Sequence, residues 1–501
     1  MYLKKFLRLG VFCLGISSSC FFTQKLVSAQ EFEINEENIP DKELRDNISK
    51  LDMNNDGKIS DEENKEVTEY RVSVDENIKG LELLNHIETL YVFYRGKSLV
   101  FPNLPGVKSL CVEMCNEGTS LEFEKNDDVE VLTCKGAFAG KIKKLDISGL
   151  ANVNNFTMFS TDVEEMDFSK NLKMEKMSIT GSKIVELSIP KDMPLKELDC
   201  SCNEITKLTI PKEVPIVKLD CSCNMMKEAD FSELDKLEVL NICDNSADYN
   251  KFKVNKKTIK ELSVSLLNNK KYLLKNYKNL EKLDLSCKKV KSISVTNCKK
   301  LVELNIWAKK LTSSDVKKCN SLKEVFYSRC KLKNLSISGK KVKTVICDYN
   351  NLKKLNLKTP KLEKLYLRSC KLSTLNVSKY KKLKVLDVAY NKLSKLDVTK
   401  NKNLKECSCQ FNKLSVLDVS KCKKLKHLYA YANKFGKVDI TNNKKIKKTK
   451  DYVGNDIDLY QGDEISVKHT KVVKENGKRY LTFSDLKTYK RLKKMTEIDD
   501  D

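Results

Sequence analysis

The residues best suited to chemistry stand in one short run, Asp52-Met53-Asn54-Asn55-Asp56-Gly57-Lys58-Ile59-Ser60-Asp61-Glu62-Glu63. Oxygen-bearing side chains recur at its first, third, fifth and ninth positions, and a carboxylate closes it at the twelfth. A hard divalent cation such as calcium takes about six to eight oxygen ligands, and alternate positions of a tight loop can turn them inward together.

This is the spacing of an EF-hand loop. Asp52, Asn54 and Asp56 would supply side-chain oxygens, Lys58 its backbone carbonyl, Ser60 an oxygen directly or through water, and Glu63 a bidentate carboxylate. Gly57 permits the sharp turn at the sixth position. The flanks, 41–51 and 61–70, read as helices. One Ca2+ site is therefore expected, serving to rigidify a terminal cap and not to sense calcium.

Cysteine offers a second chemistry. Of 19 cysteines, 17 lie beyond residue 29, and an odd number cannot all pair. Cys-Ser-Cys-Asn occurs twice, at Cys200/Cys202 and Cys221/Cys223. Stacked one repeat apart, these thiols would lie roughly 5 Å from each other at strand spacing, close enough to bridge or to hold a soft metal. Most cysteines otherwise fall at recurring inward positions and read as small core residues.

Catalysis finds little support. His86, His427 and His469 are the only histidines, so no His-based triad and no HExxH pair is present, and 16 glycines leave little room for a phosphate loop. The paired carboxylates, such as Asp397 and Asp418, recur with the repeat itself. A binding protein and not an enzyme is expected.

The elements that carry these residues follow from period. From Ile87 to Leu425, seventeen motif starts recur, mostly 20 to 22 residues apart. Leu383–Leu393 (LKVLDVAYNKL) and Leu404–Leu414 (LKECSCQFNKL) place apolar residues at positions 1, 4, 6 and 11 with Asn at 9. A second half-motif, as in Leu393-Ser-Lys-Leu396-Asp-Val398, makes both sides of each coil strand-like and leaves no room for a convex helix. The fold class is thus a mainly β repeat solenoid, a leucine-rich-repeat arc of about 17 coils of ~21 residues. At position 9, Asn203, Asn224, Asn245, Asn350, Asn391, Asn412 and Asn433 can form a ladder that satisfies backbone groups leaving each strand. Cys115, Cys330 and Cys370 occupy the same slot.

Over roughly residues 31 to 446 the pattern resembles the short leucine-rich repeats of Firmicutes surface proteins, with an internalin-type helical cap ahead of the repeats. The resemblance implies a secreted or surface-retained chain, and it says little about the ligand.

Side chains alternate along a strand, so positions 3, 5 and 7 should face out from the concave sheet. In the middle repeats they are small, acidic or polar: Asp199, Ser201, Asp220, Ser222 and Asp284. From Leu301 onward aromatics enter. Trp307, Phe326, Tyr366, Arg368, Tyr429 and Tyr431, with Tyr349, Tyr390 and Phe411 beside them at position 8, are the candidate ligand face for a protein or glycan. Tyr91, Phe93 and Tyr94 form a smaller group at the front. Strand propensity alone also favours aromatics.

Charge and ends complete the reading. The formal net charge is +25, yet residues 31–76 hold 16 acidic against 6 basic side chains. Lysine pairs Lys299-Lys300, Lys381-Lys382 and Lys423-Lys424 fall in turns, where they either keep an elongated protein soluble or attract an anionic envelope polymer. Nucleic acid is not expected as a partner. Residues 1–29 read as a cleaved signal peptide, with Lys4, Lys5 and Arg8 before an apolar run and Val27-Ser28-Ala29 at the cleavage site. The mature chain carries no candidate membrane span and is expected to be monomeric. Domains divide as 1–29 signal peptide, 30–86 helical EF-hand-like cap, 87–446 solenoid and 447–501 C-terminal cap or small module, with a hairpin around Asn476-Gly477 and a basic helix over 484–495.

Overall fold

A computed structural model describes residues 31–136, 141–246, 251–266, 271–328, 330–446 and 470–483. The signal peptide expected over 1–29 and the basic helix expected over 484–495 lie outside the described residues.

The chain is a parallel β-solenoid. Its long sheet begins at Glu69–Val74, which pairs in parallel with Thr89–Tyr94, and continues one coil at a time to His427–Tyr429. Each strand hydrogen-bonds the strand about 21 residues on, as Glu197–Asp199 does with Lys218–Asp220 and Lys282–Cys287 with Glu303–Ala308. The opposite side carries shorter parallel ladders, the longest running from Lys271–Lys275 to Lys354–Lys358. The structure corrects the expected start of the repeats. The helix expected over 61–70 ends at Lys65, and the first coil's strand, Glu69–Val74, lies inside the segment assigned to the cap. Tyr70, Val72 and Val74 point inward on alternate positions, and the apolar side chains of the next coil cover them.

The core is one continuous column. Leu195, Leu198 and Cys200 of one coil, Ile216, Leu219 and Cys221 of the next, and their counterparts down to Leu425 and Leu428 are buried. No coil could bury this surface alone, which is why stacking and folding are one event.

Two side-chain ladders close the turns. On the concave side Asn412 Nδ2 donates to Val388 O of the previous coil at 2.9 Å, while its Oδ1 accepts from Leu393 N at 2.9 Å. Asn203, Asn224, Asn245, Asn391 and Asn433 repeat this pattern. Cys370 takes the same slot and donates its thiol to Cys347 O at 2.9 Å. A second ladder, unread in the sequence, uses Asn171, Asn401 and Asn443 three residues before a coil begins, each bonded to two carbonyls of the preceding coil. Cys422 stands in the same row, with its thiol on Val398 O at 3.4 Å.

The N-terminal cap holds helix α1 (Lys42–Ile48), a 3-10 turn (Ser49–Leu51) and helix α2 (Asp61–Lys65). Phe32, Ile39, Leu44, Ile48 and Ile59 are buried in its core. Asp41 is among the residues that pin it to the solenoid. Asp41 caps α1 through Leu44 N at 2.9 Å and also accepts from Asp75, Glu76 and Asn77 N–H groups beyond the first strand. Burial pushes the Asp41 carboxyl up, but these four backbone donors together outweigh it and hold the pKa below the ordinary value. The folded carboxyl therefore titrates lower than the unfolded one. Its stabilisation is present above the unfolded pKa of about 3.9 and fades as pH falls through the folded value. Asp41→Asn should flatten part of the acid-induced loss of stability, measured by urea unfolding across pH 2 to 6 at roughly those limits. An unchanged pH profile would remove Asp41 as the cause.

At the other end, Thr470–Glu475 and Lys478–Phe483 form the expected hairpin. Its two-residue turn holds Asn476 at φ 47° and Gly477 at φ 75°, the positive values such a turn needs. Lys478–Phe483 pairs antiparallel with Lys437–Asp439 of the last described coil.

Candidate ligand face and calcium loop

The concave sheet delivers its outward residues in columns one strand apart. Trp307 and Tyr349 stand open to solvent, 46% and 59% exposed. Phe326, Tyr366, Arg368, Tyr390, Phe411, Tyr429 and Tyr431 are half-buried. Arg368, Tyr390, Phe411 and Tyr431 pack on each other. The Tyr390 and Phe411 rings stack with centroids 4.3 Å apart and 13° between planes, and Phe411 meets Tyr431 edge-on at 5.4 Å. Arg368 covers the other side, its guanidinium 5.2 Å from the Tyr390 centroid. The expectation of a strip of separate, open anchors is thus corrected: the array is a layered carpet with two open rings ahead of it.

Charge is woven into the carpet. Arg368 donates its backbone N–H to Asp348 Oδ1 at 2.7 Å and its Nε to Asp387 Oδ2 at 3.4 Å. Burial, then the nearby Asp387, pushes the Asp348 carboxyl up to about 7 against the pull of Arg368. Burial likewise raises Glu406, with His427 opposing and Asp387 adding to it. Desolvated carboxyls on an otherwise water-facing sheet are a mark of recognition surfaces. Asp387, Glu406 and His427 were not singled out in the sequence, although all fall at outward positions 3 or 5.

Other expectations shift. Ser408 and Gln410, at outward positions 5 and 7, are buried beneath the longer side chains around them. Tyr94 turns inward, its hydroxyl donating to Ser98 O at 2.6 Å, so only Tyr91 and Phe93 remain on the face at the front. Position 8 holds the largest surprise. Cys202, Cys223, Asp244, Tyr349, Ser369, Tyr390, Phe411 and Ala432 all have φ between 51° and 56°. Left-handed backbone costs a non-glycine residue about 1–2 kcal/mol. The following position-9 amide gathers the carbonyls around that bend, as Asn412 does with Cys409 O and Gln410 O. The bend carries each position-8 side chain to the rim of the concave face, where neighbours stack.

In the loop 52–63 the turn is built as expected, with Asn55 at φ 59° and Gly57 at φ 82°. Asp52 Oδ1 and Asn54 Oδ1 both accept from Asp56 N, and Asp52 Oδ2 accepts from Gly57 N at 2.9 Å. Lys58–Ile59 pairs antiparallel with Phe32–Glu33. Glu63 forms a capping box with Ser60 and also accepts from Met53 N at 2.7 Å. The Ser60 hydroxyl, followed by the Ser60 and Met53 N–H groups, holds its carboxyl down to about 2. The donor set is rich in hard oxygens and suits calcium in type. Among the described residues, however, no three His, Cys, Asp or Glu side chains gather closely enough to hold a metal ion, so Glu63 would have to turn from its capping contacts to join a cage. Nor does any described helix have the length and apolarity to cross a membrane.

No family model and no curated protein matches the chain. Solved structures similar to it include the functional domain of InlJ from Listeria monocytogenes, which includes a cysteine ladder. That domain is 18% identical with TM-score 0.38, over 80% of this chain and 75% of that one. A leucine-rich-repeat protein of Leptospira interrogans gives 15% identity and TM-score 0.48 over 77% and 96%. YopM from Yersinia enterocolitica gives 19% and 0.38 over 77% and 90%. The fold rests on the strand register described above, and these likenesses assign no ligand to this chain.

Proposed function

We propose that the chain is a non-catalytic binding scaffold, secreted or retained at a cell surface, that presents the concave face of its C-terminal half to a protein or glycan. The observation that supports this is the exposure of Trp307 and Tyr349 while the aromatics behind them are packed down. A large ring left in water beside a desolvated charged cluster gains from a partner what its neighbours already gain from each other.

Trp307 is the only tryptophan, so its emission reports on this face directly. In a screen of glycans, wall polymers and surface proteins, a true ligand should shift Trp307 emission. Tyr349→Ser should weaken that ligand about 30-fold, the equivalent of roughly 2 kcal/mol at an anchor, with the melting temperature unchanged. A ligand bound with unaltered emission and indifferent to Tyr349→Ser would move the site elsewhere.

A second reading, a structural envelope component held to anionic wall polymers, is favoured by the +25 charge and the exposed pairs Lys299-Lys300, Lys381-Lys382 and Lys423-Lys424. Retention on cells would then fall steeply as salt rises, because exposed charges are screened over about 8–10 Å near physiological ionic strength. We further propose that Asp52, Asn54, Asp56, Lys58, Ser60 and Glu63 bind one calcium ion that stiffens the cap, and that the working chain is a monomer.

A further inference from the structure

Seventeen cysteines lie in the described residues, and among them only Cys202 and Cys223 are exposed. They are partners in space. Asp199 and Asp220 are paired in parallel register, and the ladder continues past them through Cys200 N to Asp220 O at 2.8 Å and Cys202 N to Ser222 O at 3.0 Å. Cys202 therefore stands opposite Cys223 at the strand spacing of about 4.7–4.9 Å. That lies inside the Cα separation of roughly 4.4–6.8 Å that a disulfide spans. Both residues hold the left-handed bend, at φ 55° and 53°, so their Cβ atoms leave the backbone in the same direction. By contrast Cys200 and Cys221, two residues earlier on the same coils, point into the core and are fully buried.

We propose that Cys202 and Cys223 form a thiol–disulfide exchange site, which reduces a small cationic disulfide and closes to an intramolecular disulfide across two neighbouring coils. The thiolate of one cysteine attacks a sulfur of the small disulfide. That S–S bond breaks, one half leaves as a thiol and the other stays as a mixed disulfide. The second cysteine, as thiolate, attacks the protein sulfur of that mixed disulfide and expels the remaining half as a second thiol. Two electrons pass from the cysteine pair to the small molecule, and the two protons end on the released thiols. Burial, then the neighbouring Cys202 thiol, then the carboxylates of Asp244 and Asp220 push the Cys223 thiol up to about 11. Asp199, Asp220 and Asp244 also give the rim a negative field, which favours a cationic disulfide over an anionic one.

Cystamine, a small disulfide with two amino groups, is the probe. Incubated with the folded full chain, it should leave the protein lighter by two hydrogen atoms, with a disulfide joining the tryptic peptides 197–207 and 219–227. Cys223→Asn, chosen because asparagine tolerates the left-handed bend, should instead retain a stable adduct on Cys202. Circular dichroism would establish that the variant is folded, and Cys202→Asn provides the reciprocal adduct on Cys223 if it is not. Anionic oxidised glutathione should react more slowly, and added salt should narrow the gap. Separate adducts on both cysteines without a crosslink, no reaction at either, or a crosslink that survives Cys223→Asn and so involves Cys221 would each overturn the proposal.

Discussion

Asn412→Ala should lower the unfolding free energy by about 1–3 kcal/mol, the cost of leaving a buried polar group without its partner. The Asn412 side-chain N–H groups reach Val388 O, Cys409 O and Gln410 O, and its oxygen accepts from Leu393 N. Alanine removes all four contacts at a residue only 6% exposed. Asn412→Cys should fall between, because a thiol keeps one donor and Cys370 already serves in this row. Asn412→Asp should be the worst of the three, since it points a carboxylate at carbonyl oxygens with no donor left to offer. Urea unfolding would rank them. Because coils support only their neighbours, the damaged chain should also lose cooperativity about the 404–414 coil. Equal stability of the Ala and parent chains would mean that water replaces the ladder.

Calcium should raise the melting temperature of the parent chain and leave that of Glu63→Gln unmoved. A ligand that binds only the folded cap stabilises it by mass action, about 2.7 kcal/mol at a hundredfold excess over Kd. The gain should reach the solenoid, because Asp41 ties α1 to the chain leaving Glu69–Val74. Glu63→Gln keeps a carbonyl to accept from Met53 and Ser60 but loses the charge and the second oxygen that calcium requires at the twelfth position. The quantity to compare is the difference between melts with calcium and with chelator. Coincident melts of the parent chain would leave 52–63 as a turn held by its own hydrogen bonds.

Much of the architecture was legible because it depends on period alone. Leucines at positions 1, 4 and 6 every 21 residues must face inward wherever the chain bends, and Asn at 9 must satisfy the carbonyls beside it. The Asn476-Gly477 turn was equally readable, since its backbone need is local. The first strand was not. Glu69–Val74 follows an acidic stretch with helical patterning, and only docking of Tyr70, Val72 and Val74 on the next coil makes it a strand.

The candidate face divides along the same line. Which side chains at the odd positions leave the core was determined by the sequence, because alternation along a strand is a local property of the pleat; Trp307, at position 7, is exposed as that alternation requires, whereas Tyr349, at position 8, is exposed through the left-handed bend. What they do once outside was decided by residues some twenty positions away. Tyr390 stacks on Phe411, Arg368 reaches Asp348, Asp387 and Tyr390, and Cys202 meets Cys223, all between coils. The left-handed bend at position 8 brings the stacked rings and the thiol pair to one rim, and Cys, Asp, Tyr, Phe and Ala there give no local hint of it. Only the position-9 ladder, assembled from neighbouring coils, offsets the strain of that bend, so the bend belongs to the tertiary structure and not to any single repeat.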